Sequence, residues 1–475
     1  DELDNGSDGV YIIPKRASGW SDSNNQWDVD VTALIRNDTP SSRKVTVKAE
    51  ISHPTSFDDV LKLGEKGLLR FDPKEMYDTS GATVGTATVS TSAVRNSVTE
   101  AKLTVNVTSP KLWDGIESPY QYVAKIEVYE GEGTSGALLD SYETMIGFRY
   151  YDAVRSSTYG TPGDGFYLNG RHYPLRGMAM HEDWPGMGRA LADKYIEKDV
   201  AVLYEMGANW TRVSHYPHDA YCYDLLSRYG IACSAEIPLV DGVSLVNADG
   251  SYTDSKKSGI LSPGFKKTTL DQFDDMVKQL YNYPAILGWL MQNELGGGTY
   301  GQGTGTEATA AQAEMITALN NRSHELDPGR RTVMAMSLAN CYNFDSDWLL
   351  WNGYPGWYGT GTTGIGYFVD GYASASDASH SRPTGVSEYG AGSNPYHQAE
   401  YIRGETDYTK WYGTGAAFHP ESYANDRHEQ SLREINARPF YWATAGWIMY
   451  DFSASSRNEG GRQGTNDKGL VYKAR

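Results

Sequence analysis

The sequence predicts a multidomain chain, with an immunoglobulin-like antiparallel β-sandwich over residues 1–152 followed by a (β/α)8 barrel over residues 153–475 that lacks its last helix. Three observations predict it. Apolar residues alternate with period two from about Gly9 to Tyr151, separated by turn-rich gaps. Beyond the linker-like run Ser156-Ser-Thr-Tyr-Gly-Thr-Pro-Gly-Asp164, short apolar runs instead alternate with amphipathic segments of helical period. The 475 residues exceed one ordinary domain of roughly 150 residues and fit a small domain plus a barrel.

In the first part, Val29-Asp-Val31-Thr-Ala-Leu34, Val45-Thr-Val47-Lys-Ala49-Glu-Ile51, Leu103-Thr-Val105-Asn-Val107 and Tyr122-Val-Ala-Lys-Ile126-Glu-Val128 each place apolar residues on one strand face. Several such strands with no helical stretch between them read as a sandwich. In the second part eight strands are expected at 174–178, 210–214, 231–236, 286–291, 332–336, 348–351, 384–387 and 443–449. Helices are expected at 193–206, 220–229, 267–283, 308–326 and 428–436, and the connections after the fifth and sixth strands read as irregular. The chain stops at Arg475, before an eighth helix. A barrel without that helix would bare the apolar flank of its first and eighth strands, costing many kcal/mol at about 25 cal/mol per Å². The expectation is that the polypeptide continues, at either end, or that another segment covers the flank.

Composition narrows the function. A formal charge of −18 argues against nucleic acid or an anionic membrane as partner, because both need a basic face, and leaves a neutral ligand as the easier expectation. No stretch approaches the ~18 uncharged apolar residues of a membrane span. Cys222, Cys233 and Cys341 have no metal or disulfide spacing, read as buried free thiols, and leave the compartment open. The aromatic excess is in tyrosine and tryptophan, which suit sugar-stacking clefts and ordinary cores alike.

Two carboxylates carry the chemistry. Glu294 follows Ile286-Leu-Gly-Trp-Leu-Met-Gln-Asn293, and Glu388 ends Gly385-Val-Ser-Glu388, so each would sit at the C-terminal rim of a barrel strand, where such barrels keep their active sites. Retaining glycoside hydrolysis needs just such a pair, a proton donor and a nucleophile on opposite sides of the anomeric carbon.

The runs Arg176-Gly-Met-Ala-Met-His181-Glu-Asp183, Asn209-Trp-Thr-Arg212-Val-Ser-His215-Tyr-Pro217, Asn293-Glu294, Asn352-Gly-Tyr354-Pro-Gly-Trp-Tyr358, Ser387-Glu388-Tyr389-Gly390 and Trp447-Ile-Met-Tyr-Asp451-Phe resemble glycoside hydrolase family 2 in order and spacing over some 300 residues. The closing stretch from Arg457 through Asn466-Asp-Lys468-Gly-Leu-Val looks most like its β-galactosidase branch. The resemblance implies that Glu388 is the nucleophile and Glu294 the acid/base. Physics agrees with both assignments: Arg212 would hold the nucleophile ionised, while partial burial and the charge of Glu388 would help the donor keep its proton. It also implies that Tyr354 orients the nucleophile, that Asn293 holds the sugar 2-hydroxyl, that His181, Asp183 and His215 grip hydroxyls, and that Trp447 packs on the sugar ring. Some relatives bind magnesium through a Glu-x-His run ending the third strand. Here the run is Glu236-Ile237-Pro238, so no metal or other cofactor is expected, and Glu236 is read as a supporting hydrogen-bond partner.

The main reading is therefore a retaining exo-β-galactosidase. β-Glucuronidase is the chief rival, because Asn466-Asp467-Lys468 also fits the Asn-x-Lys pattern that holds a substrate carboxylate; β-mannosidase is weaker. A silent carbohydrate-binding protein on the same fold is the rival of another class, opposed by the presence of acid, nucleophile and positioning tyrosine together. The expected partners are a carbohydrate substrate, flanking domains of the same polypeptide and, compatibly, further copies of the chain. Nucleic acid and membrane insertion are not expected. Linkage and leaving group depend on loops such as 243–266 and 296–306.

Overall fold

The computed structural model describes residues 5–55, 81–240, 263–295, 306–337, 345–358, 364–375, 382–399 and 418–473. The loop 296–305, most of the loop 243–266, and Cys341 lie outside them. Cys222 and Cys233 are buried free thiols.

Strands β1 (Val10–Arg16), β2 (Gln26–Asn37) and β5 (Ser97–Thr108) form one sheet; β4 (Thr83–Ala93), β3 (Arg43–Ser52), β6 (Tyr122–Glu130) and β7 (Leu138–Ile146) form another in that order. The period-two pattern fixes the register. Trp27 opposes Val107, Val29 opposes Val105 and Val31 opposes Leu103, all buried. They meet Val47, Ala49, Ile51, Tyr122 and Phe148 in a separate core between the sheets.

A small sheet of β8 (Tyr151–Val154), β9 (Gly165–Leu168) and β10 (Arg171–His172) follows. Its hairpin turns on Asn169-Gly170, both at positive φ, as a two-residue turn matched to strand twist requires. Phe166 then plugs the foot of the barrel against Trp348 and Trp442.

The barrel is closed, parallel and sequential: β11 (Leu175–Met180), β12 (Trp210–Val213), β13 (Ala232–Glu236), β14 (Ile286–Asn293), β15 (Arg331–Met336), β16 (Trp348–Asn352), β17 (Thr384–Glu388) and β18 (Ala443–Gly446), with β18 pairing back to β11. All eight coincide with expected strands, although 447–449 lie beyond β18. Most are buried along their whole length, which is why they read as continuous apolar runs rather than alternating ones. Around them run α1 (Asp193–Glu205), α2 (Ala220–Tyr229), α3 (Pro263–Gln279), α4 (Thr306–Leu326), α5 (Ile365–Ala375) and α6 (Glu421–Asn436). The ends of α2 show local chemistry: the Asp219 side chain accepts from Tyr221 N at the start, and Gly230 at φ 73° closes it.

Two expectations need correction. The connection after the sixth strand is not irregular but holds α5, whose glycines and aromatics masked its period while Ile365 and Val369 pack into the core. Helix α6 begins seven residues before the expected 428. The flank left without an eighth helix is not bare: Ala443 to Gly446 are all buried, Leu470 N and Val471 N donate to the carbonyls of Ile448 and Met449, and Lys473 pairs with Asp199 of α1.

The sandwich grips the foot of the barrel by directed bonds. Arg149 Nη2 donates to Ile286 O (2.9 Å), the Tyr151 hydroxyl to Leu287 O (2.8 Å), Trp113 Nε1 to Ser227 O (2.8 Å), and Asn282 exchanges bonds with Val10 O and Ile12 N of β1.

Candidate active site

The C-terminal strand ends converge on one guanidinium. Arg212, from β12, is 0% exposed, as is Glu236 from β13. Arg212 Nε and Nη2 donate to the two oxygens of Glu236 (2.9 and 3.1 Å), Nη2 also to Asn293 Oδ1 (2.8 Å), and Nη1 to Glu388 Oε1 (2.6 Å). Burial pushes the pKa of this arginine down, but Glu236 and Glu388 outweigh it and raise it. Burial would likewise raise the Glu236 carboxyl, but Arg212 and His215 hold it below the usual range. His215 Nδ1 lies 2.7 Å from Glu236 Oε1, and its Nε2 is 3.9 Å from Glu388.

Glu388 is gripped on both oxygens, for the Tyr354 hydroxyl donates to Oε2 at 2.5 Å. Burial, and then the charge of Glu388, push that phenol well above its ordinary pKa, so it remains a donor. Glu294 stands one residue past β14 at φ +53°, beside a register shift between β14 and β15, and its N–H donates to Ala335 O. A non-glycine residue in this region costs on the order of 1 kcal/mol or more and is held only by its surroundings. Asn352 anchors the Glu294 side chain, for Nδ2 donates to Glu294 Oε1 (2.7 Å) and Asn293 Oδ1 (2.9 Å). Ser387 Oγ donates to Asn352 Oδ1 and so fixes which way that amide faces. With Oδ1 of Asn293 occupied by Arg212 and Asn352, its NH2 is the end available to a ligand.

Aromatic rings wall the site. Trp447 stacks on His215 with centroids 5.0 Å apart and meets His181 edge-on at 5.5 Å; His181 packs on Phe452 at 4.1 Å. Burial pushes the His181 imidazole well below its ordinary pKa, so it is neutral, with Nδ1 3.1 Å from the Tyr216 hydroxyl. Asp183 accepts from Ser453 N (2.7 Å) at the start of β19 (Phe452–Glu459), which pairs with β20 (Arg462–Asn466).

Of the expected residues, Glu294, Glu388, Asn293, Arg212, Glu236, His215 and Tyr354 thus share one hydrogen-bond network. His181 and Trp447 join it through ring packing, and Asp183, just past β11, is bonded to Ser453 of β19. Lys468 is one ring further out, with Nζ 5.1 Å from the centroid of Tyr358, which meets Tyr354 at 4.8 Å. Sequence reasoning assigned nothing to Asn352 or Ser387. The signal was present, since Asn352 is a polar residue ending the apolar run Trp348-Leu-Leu-Trp.

Paired carboxylates at the C-terminal rim of a (β/α)8 barrel, one held on both oxygens by an arginine and a tyrosine, define the glycosidase class of site. The family description "Glycosyl hydrolases family 2, TIM barrel domain" matches residues 162–413, and "Glycosyl hydrolases family 2" matches 73–149. The chain belongs to glycosyl hydrolase family 2. A β-glucuronidase of Bacteroides fragilis is 34% identical over 374 residues, covering 78% of this chain and 48% of that protein. A β-galactosidase of Thermoanaerobacterium thermosulfurigenes is 27% identical over 236 residues, covering 50% and 27%. In fold the chain is similar to the crystal structure of Bacteroides uniformis β-glucuronidase, with TM-score 0.78, 24% identity, and coverage of 99% of this chain and 49% of that one. The chain spans about half the length of the first curated relatives it matches.

Proposed function

We propose that this chain carries the catalytic part of a retaining exo-β-glycosidase acting on β-D-glucuronides. The observation that carries the reaction type is the grip on Glu388. With one oxygen on Arg212 and the other on Tyr354, the carboxylate is aimed for attack at an anomeric carbon, as a nucleophile forming a glycosyl-enzyme requires. In this reading Glu294 protonates the leaving oxygen and later activates water. The NH2 of Asn293 donates to the sugar 2-hydroxyl, a bond that strengthens in the transition state. His215 and His181 hold further hydroxyls, and Trp447 offers its face to the ring.

The relative at 34% identity, named a β-glucuronidase, moves the substrate from the β-galactoside expected above to the glucuronide. Asn466-Asp467-Lys468 supports the same reading by setting an ammonium near the site. A β-galactoside is the second reading, favoured by one observation: Lys468 Nζ is already paired with Glu459 Oε2 at 3.1 Å. Initial rates on matched p-nitrophenyl β-glucuronide, β-galactoside, β-mannoside and β-glucoside separate the two. The glucuronide is expected to lead the galactoside by tenfold or more, about 1.4 kcal/mol of transition-state discrimination. A galactoside lead of that size would reverse the assignment.

A further inference from the structure

The β19–β20 hairpin gathers two cations and a carboxylate beside the proposed sugar site, and the reaction as described has no use for the carboxylate. Glu459 and Lys468 are each 1% exposed. Glu459 Oε2 accepts from Lys468 Nζ (3.1 Å) and Asp467 N (3.2 Å), while Oε1 accepts from Arg457 Nη1. Arg457 Nη1 also donates to the Tyr358 hydroxyl (3.1 Å), and Lys468 Nζ lies 5.5 Å from the Trp357 ring. The neighbouring carboxylate, Asp467, lies 2.6 Å from His419 Nδ1 and also feels Lys468 and Glu459. Through Tyr358 and Tyr354 the cluster reaches Glu388, the proposed nucleophile.

Burial pushes the Glu459 carboxyl up, but Lys468 and Arg457 outweigh it and hold it down at about 2. The two cations therefore favour the ionised form of Glu459. Lysine has three donors and arginine five, so each keeps donors beyond the one spent on Glu459. Two cations here face two carboxylates, Glu459 directly and Asp467 beyond its His419 partner, so an incoming anion meets spare donors but also a fixed like charge beside them.

Given the sugar site proposed above, we propose that Glu459 determines specificity. It is an internal carboxylate seated on the Lys468–Arg457 receptor, where it competes with the C6 carboxylate of a uronide and leaves a neutral hexoside almost untouched. Specificity set by a repulsive element of this kind is adjustable in both directions. Removing the internal charge strengthens the receptor for anionic sugars, and removing Arg457 takes away one of its two cations and weakens it.

The test is the ratio of kcat/KM for p-nitrophenyl β-glucuronide to that for the β-galactoside, measured in the full chain and in Glu459→Gln and Arg457→Gln. The ratio is expected to rise at least tenfold in Glu459→Gln and to fall at least fivefold in Arg457→Gln. A ratio within twofold of the parent in both variants, or a fall in Glu459→Gln, overturns the proposal. If Glu459→Gln does not fold, the part-exposed Arg457→Gln decides alone, and an unchanged ratio there is fatal. If turnover is too slow, calorimetric affinities for free glucuronate and galactose give the same ratio. The substrate reading is judged separately, by the parent ratio: a parent that prefers galactoside sinks the glucuronide assignment, yet a rise in Glu459→Gln would still support the role of Glu459.

Discussion

Replacing Arg212 with methionine keeps the length of the side chain and removes the charge on which two buried carboxylates depend. The variant strips Glu236 of two bonds, at 2.9 and 3.1 Å, and Glu388 of one at 2.6 Å. Each carboxylate retains one other neighbour, His215 and Tyr354 respectively, so the loss corresponds to one broken buried pair rather than two. Breaking such a pair from one side costs about 3–5 kcal/mol. At roughly 2–4 °C per kcal/mol for a unit of this size, the Tm at pH 7 should fall by about 6 to 20 °C. The pH dependence supplies the sharper check. Glu236 has a folded-state pKa held below its ordinary value of 4.5, so its contribution to stability is fully present above that value and is lost as pH falls through the folded one. The variant lacks that contribution, so the gap between parent and variant should be full at pH 7 and narrow below about pH 4.5. Thermal melts at matched scan rates from pH 7 down to 4 measure both quantities. A fall under 3 °C at pH 7, or a gap that stays constant with pH, would refute the view that Arg212 is the charge on which the rim is assembled.

Glu388→Gln should remove turnover of an activated glycoside in a protein whose circular dichroism spectrum shows it folded; a substantial residual rate would place the nucleophile elsewhere. Glu294→Ala should spare substrates with good leaving groups far more than poor ones and regain rate with azide. Equal loss on both, with no rescue, would take Glu294 out of the acid/base role.

The parallel strands were legible because burial on both faces leaves long apolar runs, and a carboxylate closing such a run, as Glu294 and Glu388 do, stands out. Helix α5 was hidden because Gly366, Gly371 and five aromatic or β-branched residues lower its local propensity, while tertiary packing of Ile365 and Val369 restores it. The relay through Asn352 and Ser387 depends on which amide face meets which strand, and no spacing encodes that. The Arg457–Glu459–Lys468 cluster joins residues up to eleven positions apart through a hairpin whose pairing had to be seen first. The substrate resisted because the run Asn466-Asp467-Lys468 reads as compatible with both a galactoside and a glucuronide, and the pairing of Lys468 with Glu459 is visible only in three dimensions.

The bonds at the foot of the barrel give the sandwich a mechanical part in the site. Ile286 O receives Arg149 as well as Arg330, and Leu287 O receives Tyr151, so β14 is tied down where it begins. The same strand delivers Asn293 and Glu294 at its other end, about 26 Å away over eight residues at roughly 3.3 Å each. It behaves as a tie rod, anchored in one body and bearing its working tip at the mouth of another. Slack at the anchor would reach the cleft as a change in the height and tilt of Glu294, the proposed proton donor, rather than as weaker hold on sugar. The ancillary β-domain is in that sense part of the alignment of that carboxylate, although none of its atoms need come near a substrate.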